Sequence, residues 1–495
     1  VGEIMKIIQK TQGLEFELLQ GSVEIDIVEV CYNSKNVVED SIFVCLKGAR
    51  FDSHTIIDEV VKKGAKAIVI QEDCSYPEDV TVIRVKDTRK ALALLSAARF
   101  SYPARKMVTI GVTGTKGKTT TTHMMKTLLE QSGKKVGMIG TNGCFIGSEK
   151  IPTVNTTPES YELHQDFQKM VDAGCQYMIM EVSSQGLKMH RTAGIEFDYA
   201  VFTNISPDHI GPNEHADFQE YLMCKSLLFS QCKTALVNLD DEHAHDIIEH
   251  AHCHRLYTFG SDEKSDFHFS NIQYVANKDF VGITFGVCGK ESFENFDVHA
   301  AIPGHFNAYN ALSAVSVCAL LGLNKEILTR GLEHIHVDGR MEIAYKSDHC
   351  SVIVDYAHNA ISMESLLDTL RNYHPKRLVV VFGCGGNRAK ERRYAMGEIA
   401  GRKADLSIVT ADNSRYEKTE DIIADIIETL KPTGGKYLTI PDRREAIFYA
   451  VKNAQDGDMI AVIGKGHEDY QEINGVRTHF RDREVVDEAV KELLL

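Results

Sequence analysis

The chain has 495 residues, 43% of them hydrophobic and 25% charged, with a formal charge of −15. That length exceeds what one ordinary core organises, and the acidic balance excludes a general nucleic-acid binder, which needs basic surface against phosphates. The 12 cysteines fall singly with no CxxC pair, no apolar run nears a membrane span, and the start "VGEIMKIIQK" lacks a signal-peptide pattern. Reduced thiols, no membrane insertion and a cytoplasmic setting are therefore expected.

In chain order, "SIFVCLKG" (41–48) and "AKAIVI" (65–70) read as strands, with "TIIDEVVKKG" as an amphipathic helix between them. "SYPARK" (101–106) breaks the pattern as a linker, closing an N-terminal α/β domain over 1–105. From there "MVTIGVTG" is a buried strand running into the helix "KTTTTHMMKTLLEQSG", stopped by Gly133. "YMIMEVSS" and "YAVFTNIS" are further strands ending in polar residues. This alternation predicts an α/β fold whose parallel sheet carries its chemistry at the carboxyl ends of the strands. A central domain is placed at 106–336, with a small antiparallel β excursion at 262–300, where "FHFSNIQYV" and "FVGITFGV" alternate, and the helix "NAYNALSAVSVCALLG" after it. Residues 337–495 form a third, Rossmann-like domain, in which "SVIVDYAHN", "RLVVVFGCGG", "LSIVTADNS" and "MIAVIGKGHE" are strands of one type.

"GVTGTKGKTT" (111–120) is the stretch richest in chemistry. Gly111, Gly114 and Gly117 let the backbone turn tightly against a phosphate, and the helix that follows aims free N–H groups and its positive end at the same point. Lys118 would charge-pair with the β/γ-phosphates and the Thr119 hydroxyl would ligate Mg²⁺. The strict phosphate-loop spacing nevertheless fails. It wants glycine at 112, where Val112 stands, and Gly111 comes one residue early.

The longer loop TGTKGKTT resembles the ATP loop of the Mur ligases and their relatives, the folylpolyglutamate synthases. "NTTPES", "EVSSQGL", "TNISPDH", "CKSLLFS", "GHFNAYNALSA", "DGRMEI", "VDYAHN", "GCGGNR" and "GKGHEDYQ" follow in that family's order across all three domains. Within the family the set is most similar to the synthetases that attach the third residue of the peptidoglycan stem peptide. The resemblance implies that the γ-phosphoryl of ATP moves onto a carboxylate and that an amine displaces it, giving an amide with ADP and phosphate. Its partners would be UDP-MurNAc-L-Ala-D-Glu, ATP and a diamino acid, acting on a monomer. Alternatives are a related ligase for another amino acid, including a folylpolyglutamate-type enzyme, and a non-catalytic ATP-binding regulator. The full-length first domain with its Ser34 region argues against the folate enzymes, and Lys118, Glu181, His209 and Lys225 against the regulator.

By the same resemblance, Gly114, Thr115, Lys116, Gly117, Lys118, Thr119 and Thr120 hold ATP, with Asn307 at the adenine and Arg340, Asp355 and His358 arriving from the hinge "HVDGR" and beyond. Mg²⁺ falls to Thr119, Glu181, His209 and Lys225, although by residue type alone Glu181 reads as a helix cap and His209 as a loop histidine. Lys225, in the apolar helical "YLMCKSLLFS", would be carbamylated by CO₂, which burial favours by lowering the amine's pKa. "HIGPNEHADF" before it is about two residues longer than usual for the family. Ser34 and "GARFD" (48–52) resemble uridine contacts, and Asn155, Thr156, Thr157, Ser183 and Arg191 contacts to the muramoyl dipeptide and diphosphate.

The amino-acid pocket is expected at Arg393, Asp412, Asn413, Ser414, Arg415, Gly464 and Glu468. An arginine fork pairs bidentately with the distal carboxylate that lysine lacks, which favours meso-diaminopimelate over L-lysine, with meso-lanthionine a close analogue. Ser414 stands where the family's DNPR motif has proline, removing its fixed φ. The histidine-rich "DDEHAHDIIEHAHCHR" (240–255) fits no tetrahedral zinc spacing and reads as a solvated helical face; Cys384 in "GCGG" has no base nearby and reads as a buried strand-end thiol.

Overall fold

A computed structural model describes residues 6–48, 51–208, 210–211, 214–290 and 294–493. Two compact units divide at Gly260/Ser261, inside the region drawn from sequence as the central domain.

In the first unit a five-stranded sheet orders Glu17–Gln20, Thr81–Arg84, Ala65–Ile70, Ser41–Val44 and Glu29–Cys31, parallel except for the first pair. The strand and helix expectations hold here: "AKAIVI" is a strand, and Ile57–Lys62 is a helix entered through a 3₁₀ turn capped by Asp52. "SYPARK" is more ordered than a linker. Ser101 and Tyr102 take positive φ, Pro103–Lys106 forms a 3₁₀ turn, and the Tyr102 hydroxyl donates to Lys10 O at 3.0 Å and accepts from Gln12 N at 2.8 Å.

The unit's second sheet places Val108–Thr113 between Tyr177–Glu181 and Phe197–Phe202, all parallel, with Val136–Gly140 beyond the first neighbour and Cys232–Asn238 and Arg255–Gly260 beyond the second. Both faces of the central strand are covered, which is why "VTIGVT" reads as continuous apolar sequence. Register sets Glu181 opposite Val112, so the last residue of one strand lies level with the approach to the glycine-rich turn.

Helix Ser160–Asp172 packs His164 into this core, against Phe167. Neither ring nitrogen has a hydrogen-bond partner, and burial pushes the imidazole from 6.5 down to about 3. In this window the unfolded chain binds a proton that the fold refuses, so stability falls as pH drops from about 6.5 toward 3, by about 1.4 kcal/mol per unit. Urea titrations are expected to show that His164→Leu flattens this acid limb; an unchanged limb would assign it elsewhere.

In the second unit Phe267–Ala276, Val281–Gly289 and Phe296–Ala300 pair antiparallel, as the alternating sequence predicts, and helix His305–Leu320 follows. A six-stranded sheet then orders Glu342–Lys346, Cys350–Asp355, Asp458–Ile463, Arg377–Phe382, Leu406–Val409 and Tyr437–Thr439, parallel but for its first pair. The four expected strands all lie in it. The hairpin Tyr470–Ile473/Val476–His479 is separate, and an isolated bridge joins Ile473 to Arg415.

All 12 cysteines are free; Cys384 is 3% exposed, and burial raises its thiol to about 12, out of nucleophilic range. In the histidine-rich segment only Ala244–Glu249 is helical, and His243 and His245 pair with Asp246 and Glu249. No described helix is long and apolar enough to cross a membrane.

Candidate active site

The turn after Val108–Thr113 is built by glycines used for their geometry. Gly114 has φ +150°, and a Cβ there would lie 2.0 Å from Thr203 Oγ1; Gly117, at φ +89°, caps helix Lys118–Gln131. The neighbouring strand end holds the turn: Thr115 N donates to Asn204 O (2.8 Å), Lys116 N to Asn204 Oδ1 (2.9 Å), and Thr203 Oγ1 to Lys116 O (2.7 Å). Lys118 curls back onto the turn, its ammonium 2.7 Å from Gly114 O and 3.2 Å from Thr115 O. Thr120 is buried one residue further along the helix.

Glu181, 1% exposed, is not a helix cap. One oxygen accepts from Thr119 Oγ1 (2.9 Å) and Thr141 Oγ1 (3.2 Å), the other from Thr141 N (2.9 Å). A Cβ on Gly140 would lie 2.2 Å from this carboxylate, so the strand end is shaped around it. Thr119 and Glu181 are hard oxygen donors beside a phosphate turn, a set that fits Mg²⁺. His209 lies outside the described residues.

Lys225 sits on helix Phe218–Ser226 and is 1% exposed. It does not snorkel. Its Nζ donates to Gly114 O at 2.8 Å, the carbonyl that Lys118 also uses, and lies 4.6 Å from the centre of the Tyr221 ring. Desolvation, with Lys118 adding like-charge repulsion, holds its pKa well below 10.5.

Thr157 ties the "NTTPES" loop to this centre, donating to Glu181 O (2.9 Å) and accepting from Ser183 N (3.0 Å). Thr156 Oγ1 lies 3.1 Å from Thr141 Oγ1, while Asn155 is exposed. Ser183 caps helix Ser184–Lys188 through Gly186 N. Arg191 donates to Thr157 O (2.9 Å) and pairs with Glu159, which also meets Arg89 at 3.4 Å. In the five-stranded-sheet region the Ser34 carbonyl accepts from Lys63 (3.1 Å); Ala49 and Arg50 of "GARFD" lie outside the described residues.

Within the second unit, Asn307 is fully buried and its amide is engaged by Pro303 O (2.6 Å) and Asn310 (2.8 Å). Asp355 accepts from Met341 N and Ala357 N, both 2.8 Å, and burial raises its pKa. Arg340 lies over the Tyr356 ring at 5.0 Å, and His358 Nδ1 lies 2.8 Å from Tyr356 O. His336, Asp338 and Glu342 have metal-like spacing, but Arg481 and Arg483 pair with the two carboxylates, which reads as an ion-pair network within the second unit.

The loop after strand Leu406–Val409 is stitched down along its length. Asn413 donates to Glu468 (2.8 Å); Arg415, at φ +53°, bonds Glu472 O and Asn474 N through its backbone and Gly386 O through its guanidinium (2.9 Å). Ser414 meets Thr419 Oγ1 at 2.6 Å, so a hydrogen bond braces the position where proline was expected. Asp412 is buried beside Gly464, with its pKa raised. Arg393 is 1% exposed and its terminal nitrogens are committed to Glu417 and Asp425, a buried ion pair that residue type alone could not distinguish from a ligand fork. Sequence reasoning passed over Thr141, Glu159, Asn204 and Lys465. Glu159, Asn204 and Lys465 lie within quoted motifs and Thr141 does not; each has at least one partner remote in sequence.

Parallel sheets whose carboxyl ends carry a lysine-bearing glycine turn and a hard-oxygen donor pair class the chain as a phosphate-loop α/β protein. Mur ligase family, catalytic domain, matches residues 26–100; Mur ligase middle domain, 112–318; and Mur ligase, glutamate ligase domain, 339–466. The UDP-N-acetylmuramoyl-L-alanyl-D-glutamate–2,6-diaminopimelate ligase of Clostridium perfringens is 39% identical over 481 residues, covering 96% of this chain and 97% of that one. The same-named protein of Caldanaerobacter subterraneus is 39% identical over 489 residues, 99% of each. A solved structure of a ligase with that name superposes with TM-score 0.76 at 28% identity, covering 97% of this chain and 98% of that one. The MurF ligase of Thermotoga maritima in complex with ADP shares the fold, with TM-score 0.57 at 20% identity over 94% and 97% of the two chains. The chain belongs to the Mur ligase family.

Proposed function

We propose that the protein is an ATP-dependent amide ligase that joins meso-diaminopimelate to the glutamyl carboxylate of UDP-MurNAc-L-Ala-D-Glu, through an acyl phosphate, releasing ADP and phosphate. The observation that carries this reading is Thr119 meeting Glu181 at 2.9 Å beside a lysine-bearing glycine turn, in a chain whose full-length relatives bear that ligase name. Phosphoryl transfer between two anions requires positioning and positive charge more than covalent help. The N–H groups at the start of helix Lys118–Gln131 cradle the β/γ-phosphates, and Lys118 exchanges the carbonyls of Gly114 and Thr115 for phosphate oxygens. Thr119 and Glu181, together with His209, would hold Mg²⁺, which when bound would supply positive charge beside the phosphates.

Lys225 is assigned as a carbamate. Burial and the neighbouring Lys118 lower the Lys225 pKa, which favours the neutral amine that reacts with CO₂, and a carbamate there would end the crowding of two lysine side chains on Gly114 O. Thr156, Thr157, Ser183 and Arg191 are assigned to the nucleotide-linked dipeptide and its diphosphate, with Arg191 anchored on Thr157 O and Glu159. Asn307, Arg340, Asp355 and His358 are assigned to ATP, with His358 Nε2 the nitrogen left to meet an anion once Nδ1 is turned to Tyr356 O. Arg415 takes the distal carboxylate of the amino acid and Glu468 an ammonium group.

The test is phosphate release dependent on UDP-MurNAc-L-Ala-D-Glu together with meso-diaminopimelate, L-lysine or lanthionine. Release that no amino acid stimulates would sink the ligase reading, and preference for L-lysine would sink the pocket assignment. Arg415→Glu is expected to raise the KM for diaminopimelate about 100-fold with the KM for ATP unchanged; equal loss of both would make the loop merely structural.

A further inference from the structure

Lys465 is a lysine with no exposed surface, in a loop whose two glycines determine where its side chain goes. Gly464 has φ +115° and Gly466 φ +52°; a Cβ on Gly466 would lie 2.8 Å from the Tyr356 backbone, and one on Gly464 3.0 Å from Asp412 Oδ2. The chain can pass this close only with glycine on both sides of Lys465, whose side chain is buried. Its ammonium lies 3.2 Å from Asn413 Oδ1, 3.1 Å from Glu468 Oε2 and 5.3 Å from the centre of the Tyr470 ring. Asn413 Nδ2 closes the triangle on the same Glu468 oxygen at 2.8 Å. Beneath it, fully buried Arg443 joins Ala411 O (3.1 Å) to Ile463 O (2.9 Å), fixing the ends of the two strands that carry these loops.

We propose that Lys465 is the positioning residue of the amino-acid site: its buried ammonium holds Asn413 and Glu468 in one arrangement and balances the Glu468 charge, leaving Glu468 Oε1 for the ammonium group of the incoming diamino acid. This rests on the ligase reading above. Burying a charge is tolerated when it is paired and hydrogen-bonded, as Lys465 is. Removing it leaves Glu468 without its cation and held only by Asn413 Nδ2. It also makes the pocket more negative by one charge, which favours L-lysine, with net charge +1, over net-neutral diaminopimelate.

The experiment is steady-state phosphate release by the full chain as Lys465→Met, Glu468→Gln and the double variant, with melting temperatures measured alongside. Lys465→Met is expected to raise the KM for diaminopimelate about tenfold or more, to shift the lysine-to-diaminopimelate kcat/KM ratio toward lysine, and to leave the KM for ATP and for the nucleotide-linked dipeptide within about threefold. The double variant is expected to be no worse than the poorer single one, because both substitutions disable the same contact. Multiplicative losses in the double variant, or an unchanged diaminopimelate KM in Lys465→Met, would overturn the proposal. Should Lys465→Met fail to fold, the double variant removes the orphaned charge as well and is expected to fold; failure of both to fold would make Lys465 a core residue and overturn the proposal too. A wild-type chain that no amino acid stimulates would instead sink the ligase reading.

Discussion

Lys118→Ala is expected to lower phosphate release and amide formation about 10³-fold, because one preorganised cation at the transferring phosphoryl group is removed from a site with few alternatives. The fold is expected to survive. In the structure the Lys118 ammonium reaches the carbonyls of Gly114 and Thr115, while the turn's own shape comes from Asn204, Thr203 and the two left-handed glycines. A melting temperature near wild type with activity lost is the predicted pair of results. Amide synthesis within threefold of wild type would remove the phosphate-binding role from this turn.

Lys225→Met is expected to cost a similar factor, about 10³ in kcat, and for a different reason: it removes the amine proposed to carry a carbamate. Two measurements separate this from simple damage to the core. In buffer equilibrated with ¹³C-bicarbonate, the wild-type chain should show a carbamate carbon resonance that the variant lacks; the same spectrum from both would refute the modification. In CO₂-free buffer the native Lys225 pKa lies well below the unfolded one, so in the interval between them the unfolded chain holds the extra proton. That costs the native state stability, and the cost is relieved as pH rises toward 10.5. Denaturant titrations should show wild-type stability rising with pH across this interval, with the rise absent in Lys225→Met.

Much of this was legible in residue order. A glycine-rich turn between a buried strand and a helix has few physical uses, so Gly114, Gly117, Lys118 and Thr119 could be selected from local chemistry, and the strand series after 350 declared a parallel sheet through its apolar runs. Contacts between distant segments were harder to foresee. Lys225 looked like an amine on an apolar helix, yet its acceptor, Gly114 O, lies 111 positions away. Arg393 is expected from the resemblance in the amino-acid pocket, and nothing local reveals that Glu417 and Asp425 take its terminal nitrogens. Ser414 looked like a loss of stiffness; Thr419, at 2.6 Å, supplies the restraint instead.

The sequence by itself determined the α/β class, the glycine turn with its cation and the Thr119 hydroxyl, because these follow from local backbone freedom, hydrophobic period and side-chain chemistry over a few residues; Glu181 was singled out only through the family resemblance. Only the tertiary structure decided which buried charge faces which partner: Lys225 on Gly114 O, Glu181 between Thr119 and Thr141, and Lys465 between Asn413 and Glu468. Hydrogen bonds act over about 3 Å, and strand register, not distance along the chain, brings those atoms within that range.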